Sequence, residues 1–222
     1  MTQQSAQRVL IALILAAGVA VAALFVVDGM RQRQRSDAEP FRGGSGNGAQ
    51  QTLEPRELRE FNLIDQQGQP FASKEMKGKV WVVSFFFTKC PTVCPQVLAQ
   101  TAEMQKRLST TPQWKDIRFV SITVDPQHDT PAVLDERAKL WNADPKHWIF
   151  LTGSKDAIWS LTSARDGFQL AVGDGVPGDK MSIAHSSRFV LINQQHQVVG
   201  YFDALDEAKR EELVGEMMRL LQ

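Results

Sequence analysis

Cysteine is nearly absent from this chain of 222 residues: there are two. Two thiols cannot build a disulfide scaffold. Structural zinc takes four protein ligands and finds no third cysteine here. Histidine is scarce as well, with four residues. Excess charge of either sign is missing, since Lys+Arg and Asp+Glu each total 25. A phosphate-binding surface leaves a basic excess, so nothing points to a nucleic-acid partner. No internal repeat is visible.

One long apolar run is present. Residues Val9 to Val27 carry no charge. A helix of that length spans about 28 Å, close to the hydrocarbon core of a bilayer. A cleaved signal peptide would have a shorter apolar stretch followed by a small-x-small site, and here Ala20-Val21-Ala22 lies inside the run. The sequence therefore predicts a short tail (1–8), a transmembrane anchor (9–27), a flexible linker (28–52) and a folded domain (53–222). The linker is polar and contains Gly43-Gly44-Ser45-Gly46-Asn47-Gly48. About 25 such residues reach roughly 25–30 Å, enough to hold a domain off a membrane. Arg31, Arg33, Arg35 and Arg42 follow the span and only Arg8 precedes it. By positive charge alone, the domain would face the cytoplasm.

The domain is long enough for its own core, so the cysteines need not staple it. Phe61–Asp65 and Pro70–Ala72 flank Gln66-Gln67-Gly68-Gln69 and predict a hairpin. Val80–Phe87 is apolar at nearly every position, as expected of a central strand covered on both faces. A helix is expected over Gln96–Leu108, a second central strand over Ile117–Val124, and a helix over Thr130–Trp141 with Pro131 in its first turn. A short strand over Trp148–Leu151 and a helix capped by Ser154 follow. Gly167–Ala184 reads as irregular, Arg188–Ile192 and Val198–Phe202 as a hairpin, and Leu205–Leu221 as a terminal amphipathic helix. Strands alternating with helices before a closing hairpin and helix indicate an α/β domain. By analogy the order matches a thioredoxin-like fold with an N-terminal β-hairpin extension.

The two cysteines sit four residues apart, in Thr88-Lys89-Cys90-Pro91-Thr92-Val93-Cys94-Pro95, directly after the first central strand. Open α/β sheets place functional loops at this end of a strand. Pro91 suits the first position of a helix, and residues i and i+4 then share a face. A helix start also supplies free amides that favour a thiolate. Such a pair can close a disulfide, exchange one, or hold a soft metal ion. A metal needs a further ligand. His196, in a hairpin turn, is expected to be exposed, and His147 to lie at the surface. His128 follows the second central strand and is a weaker candidate. His185 enters the strand beginning at Arg188, and on a thioredoxin-like sheet the loop before that strand faces the cysteine loop. Two thiolates and one imidazole suit copper, as Cu(I) or as Cu(II) with an extra weak ligand. Met181 is a conceivable extra donor, although such a methionine more often packs.

Four segments in order resemble the Sco/SenC family of membrane-anchored copper proteins. They are Phe85–Pro95, Ser121–Pro131, Phe150–Gly153 and His185–Ile192, with the strings TKCPTVCP and VDPQHDTP the most specific. The resemblance covers roughly Phe61 to Gln222. It implies a thioredoxin fold and a copper site of Cys90, Cys94 and His185. It also implies a role in assembling the copper A centre of cytochrome c oxidase, as copper donor, as thiol reductant, or both. Asp125 and Asp129 match family loop positions and are expected to serve a supporting role. The segment before His185, Gly178–Ala184, lacks the aromatic and acid that members often carry there. The family's domain lies outside the cytoplasmic membrane, so the expectation is a single-pass inner-membrane protein with its domain in the periplasm, against the arginine count. The rival expectation is a thiol–disulfide oxidoreductase serving redox homeostasis, with copper incidental. In that enzyme one cysteine attacks and the other resolves.

Overall fold

The fold is built around Val80–Phe86, seven residues that are all buried. The computed structural model describes residues 54–170, 173–174, 183–184 and 187–222, and among these this segment is the fourth of ten strands. The expected anchor and linker, as well as His185 and Met181, lie outside the described residues. Among the described residues no helix is long and apolar enough to cross a membrane.

In chain order the strands are β1 (Arg56–Glu57), β2 (Asn62–Asp65), β3 (Pro70–Ala72), β4 (Val80–Phe86), β5 (Ile117–Thr123), β6 (Trp148–Thr152), β7 (Gly173–Asp174), β8 (Ile183–Ala184), β9 (Arg188–Ile192) and β10 (Gln197–Asp203). The helices are α1 (Val93–Leu108), α2 (Pro131–Leu140), α3 (Lys155–Ser163) and α4 (Glu207–Leu220). Eight strands form one sheet in the order β1-β10-β9-β4-β5-β6-β2-β3, and β7 pairs with β8 separately. The central strands β4, β5 and β6 run parallel. β9 returns antiparallel on β4, with Trp81 opposite Ile192 and Val83 opposite Val190.

Local chemistry explains the elements. β5 is buried at all but one position, so, like β4, it is covered on both faces. The predicted N-terminal hairpin forms as β2 and β3 and extends the sheet beyond β6. Its turn is fixed by Asp65, whose carboxylate accepts from the amides of Gln67 (2.9 Å) and Gln69 (2.8 Å). Gly68 takes φ +77° there, which a glycine adopts without a steric penalty. α1 buries Cys94, Val97, Leu98, Thr101, Met104 and Leu108, a stripe at helical spacing that faces the core. Ser154 caps α3 by accepting from the Ala157 amide (3.2 Å), and Asp206 caps α4 by accepting from Lys209 (3.2 Å).

The start of α1 differs from the sequence expectation. The helix begins at Val93 rather than Gln96, and Pro91 precedes it instead of opening it. Pro95 therefore occupies the third helical position. The amide it lacks would have had no intrahelical partner there, so the turn accommodates it.

Candidate metal and redox site

After Phe86 the chain leaves the sheet and turns, with the Cys90 amide donating to the Phe87 carbonyl (3.2 Å). The loop is held from one side just after β5, where the Val124 amide donates to the Phe86 carbonyl (2.8 Å). Cys90 and Cys94 are not joined in a disulfide and are both buried, at 6% and 1% exposure. The Cys94 amide donates to Cys90 Sγ at 3.4 Å. The residue before α1, Thr92, provides no side-chain cap. The Cys90 sulfur thus takes the place that a cap oxygen usually fills, beside the unpaired amides of a helix start.

This position splits the chemistry of the two thiols. Burial pushes Cys90 upward, but the amides of Cys94, Thr92 and Val93 and the Cys94 thiol outweigh it and hold Cys90 below the ordinary thiol value. Burial pushes Cys94 well above that value, and the neighbouring Cys90 and the Asp129 carboxylate push the same way. Near neutral pH the pair is therefore one thiolate-prone sulfur beside one persistent thiol.

The support for the loop comes from Asp129, which is fully buried. Its carboxylate accepts from the Thr88 amide (3.0 Å), from the Thr88 hydroxyl, and from the Thr123 hydroxyl (2.5 Å). Thr123 Oγ1 in turn accepts from the Asp125 amide (3.0 Å), and the Asp129 amide donates to the Asp125 carbonyl (2.9 Å). Arg137 of α2 donates to the Thr88 carbonyl (3.1 Å). A buried carboxylate is tolerated because charge-assisted hydrogen bonds fill its lone pairs. The loop after β5 thereby fixes the residue two positions before Cys90. Sequence reading gave Asp129 a supporting role without its partners and missed Thr88 and Arg137. The threonine just ahead of the cysteines and the acid in VDPQHDTP were the available signals.

The other histidines sit as follows. His128 is exposed in the loop after β5. His147, expected at the surface, is half-buried: its ring stacks on Trp114 with centroids 3.9 Å apart and planes 12° apart. His196, expected to be exposed, is buried at 2% exposure. Neither belongs to the cysteine site. Among the described residues no group of three or more His, Cys, Asp or Glu side chains could hold a metal ion. The described soft donors at the loop are the two sulfurs.

A dithiol where the central parallel strand gives way to the next helix, in a sheet closed by an antiparallel hairpin and a last helix, defines a thioredoxin-like α/β protein. The chain belongs to the SCO1/SenC family, whose pattern it matches over residues 49–222. It is 36% identical over 152 residues to the SCO2-like protein of Rickettsia felis, covering 68% of this chain and 71% of that one. Among solved structures it resembles a SCO1/SenC family lipoprotein from Bacillus anthracis (TM-score 0.68, 34% identity, covering 76% of this chain and 98% of that one). It also resembles BsSco, described by its disulfide switch and as a member of the Sco family of cytochrome c oxidase assembly proteins (TM-score 0.65, 27% identity, 78% and 98% covered). A third is Arabidopsis thaliana ScoI with copper bound (TM-score 0.61, 26% identity, 73% and 98% covered).

Proposed function

We propose that this chain is a membrane-tethered copper carrier whose ligands are Cys90, Cys94 and His185. In this reading it delivers copper to, or reduces the cysteines of, the copper A site of cytochrome c oxidase. The observation that carries the reading is the adjacency of two cysteine sulfurs outside any disulfide, one of them held below the ordinary thiol value. Soft sulfur donors with an imidazole suit copper. The register of β9 on β4 supports His185. β9 runs from the cysteine end of β4 toward its start, and His185 stands three residues before its first residue, Arg188. The copper-bound relative and the oxidase-assembly relative support the cargo and the acceptor. An anchor at 9–27 and a linker at 28–52 would confine the domain to the membrane surface and raise its local concentration around a membrane acceptor. The B. anthracis lipoprotein relative supports membrane association. Oxidation of the pair to a disulfide removes both thiolates, so redox state gates loading.

The test is an anaerobic copper titration of the reduced full chain in detergent. About one equivalent is expected to bind. Cys90→Ser and Cys94→Ser are each expected to weaken binding by more than about a hundredfold, beyond the loss typical of supporting groups around a metal. A reduced wild-type chain that retains no copper defeats the proposal.

The asymmetry of the thiols favours a second reading, thiol–disulfide exchange. The Cys90 thiolate attacks a partner disulfide, forms a mixed disulfide and expels one partner thiolate. Cys94 then loses its proton and attacks Cys90 Sγ, expelling the second partner sulfur. Two electrons pass to the partner, whose sulfurs gain the protons, and Cys90–Cys94 becomes the disulfide. His185→Ala separates the readings. A carrier loses copper retention while its dithiol stays competent, whereas an oxidoreductase keeps its role in the cell.

A further inference from the structure

The far end of β4 holds a histidine that the copper and thiol chemistry does not use. His196 lies in the turn between β9 and β10 with φ +67°, a left-handed conformation uncommon outside glycine that asparagine, aspartate and histidine tolerate best. Its ring packs on the Trp81 indole, centroids 5.5 Å apart and planes tilted by 32°. Among the described residues neither ring nitrogen has a hydrogen-bond partner, and neither does Trp81 Nε1. The backbone around it joins three parts of the chain. The Leu58 amide donates to the His196 carbonyl (3.1 Å), the Gly78 amide to the Gln194 carbonyl (2.9 Å), and Gln197 Nε2 to the Glu57 carboxylate (2.8 Å). The N-terminal strand β1 and the turn leading into β4 are both fastened to this one hairpin.

We propose that His196 is an acid-sensitive latch: as the neutral imidazole it packs on Trp81 and holds the hairpin against residues 56–61, and on taking a proton from solvent it leaves that packing and frees β1. The charged groups around the ring are Glu57 and Glu60 on the N-terminal segment and Lys77 before β4. The carboxylates would welcome an imidazolium, but Glu60 is already paired with Lys77 at 2.7 Å. Burial first, and then the Lys77 ammonium, hold the ring below the ordinary histidine value, against the pull of both acids. A group depressed in the folded state gives stability that is complete above its unfolded value, near 6.5, and lost as the pH falls below it. The latch therefore holds at neutral pH and loosens on acidification. It is independent of the copper and thiol readings and stands if both fail.

The experiment is amide hydrogen exchange on the full reduced chain in detergent, followed at Leu58 between pH 7 and pH 5 and corrected for intrinsic exchange. Opening coupled to uptake of one proton lowers protection by on the order of tenfold across that range. His196→Asn keeps a side chain tolerant of positive φ but removes the titration, and its Leu58 protection is expected to be flat. Protection in the wild type that does not change with pH, or that changes equally in the variant, overturns the latch. Should the variant not fold, the histidine ring signals of the wild type decide. A His196 ring that titrates below the ordinary value together with a shift of the β1 amides supports the latch. A ring that titrates at or above that value, or alone, overturns it.

Discussion

The two ends of β4 bury ionisable side chains to a similar depth and treat them in opposite ways. At the end of the strand, Cys90 loses water but gains the amides of a helix start, which outweigh its burial and hold it below the ordinary thiol value. At the beginning of the strand, His196 loses water and gains an indole face but, among the described residues, no donor or acceptor, and burial holds it below the ordinary histidine value. Burial sets a cost for charge in both places, and the dipoles within reach decide whether it is offset. Asp129 extends the lesson, since three donors on one carboxylate make a buried acid a structural post.

Three tests bear on this contrast. The largest effect is expected for Asp129→Ala, which strips the acceptor from three donors around Thr88. Denaturant unfolding should show a loss of about 3 kcal/mol, the scale of leaving buried donors unpaired. A loss under about 1 kcal/mol would mean that the cysteine loop is not held through this carboxylate. The thiols come next. In Cys94→Ser, alkylation of Cys90 by iodoacetamide should rise with pH around a midpoint below about 8.5, the ordinary thiol value. In Cys90→Ser, Cys94 should react at least about tenfold more slowly at pH 8, because burial keeps it protonated and inaccessible. Equal rates would erase the division between an attacking and a resolving sulfur. The smallest effect is expected for Lys77→Gln. Removing that ammonium raises the His196 pKa toward its ordinary value, which narrows the pH window of acid loss and makes the fall in Leu58 protection shallower. Lys77 is exposed and screened by solvent, so the change should be slight. A fall that flattens almost completely would show that the Lys77–Glu60 pairing, and not the ring's burial, keeps the imidazole neutral.

Much of the architecture was legible because it is written in local patterns. The apolar run at Val80, the second at Ile117, the Ser154 cap and the closing hairpin each formed where hydrophobic period and turn chemistry put them. The start of α1 was placed three residues late, because Pro95 supplies no backbone donor and yet at the third helical position costs no hydrogen bond. His196 was misjudged for a different reason. A turn between two strands normally faces water, but the indole that covers this one comes from Trp81, far away in sequence. The same distance hid Arg137, whose guanidinium reaches the Thr88 carbonyl from the next helix but one along the sheet.

The order of strands and helices, the dithiol spacing and the family strings follow from the sequence alone, because they depend on period, propensity and the identity of neighbouring residues. Which thiol is poised to ionise, which carboxylate holds the loop, and which histidine is shut away from water were decided only by the tertiary structure. The free energy of a buried charge depends on the donors and charges within a few ångströms, and the fold draws those from segments that the linear order keeps apart.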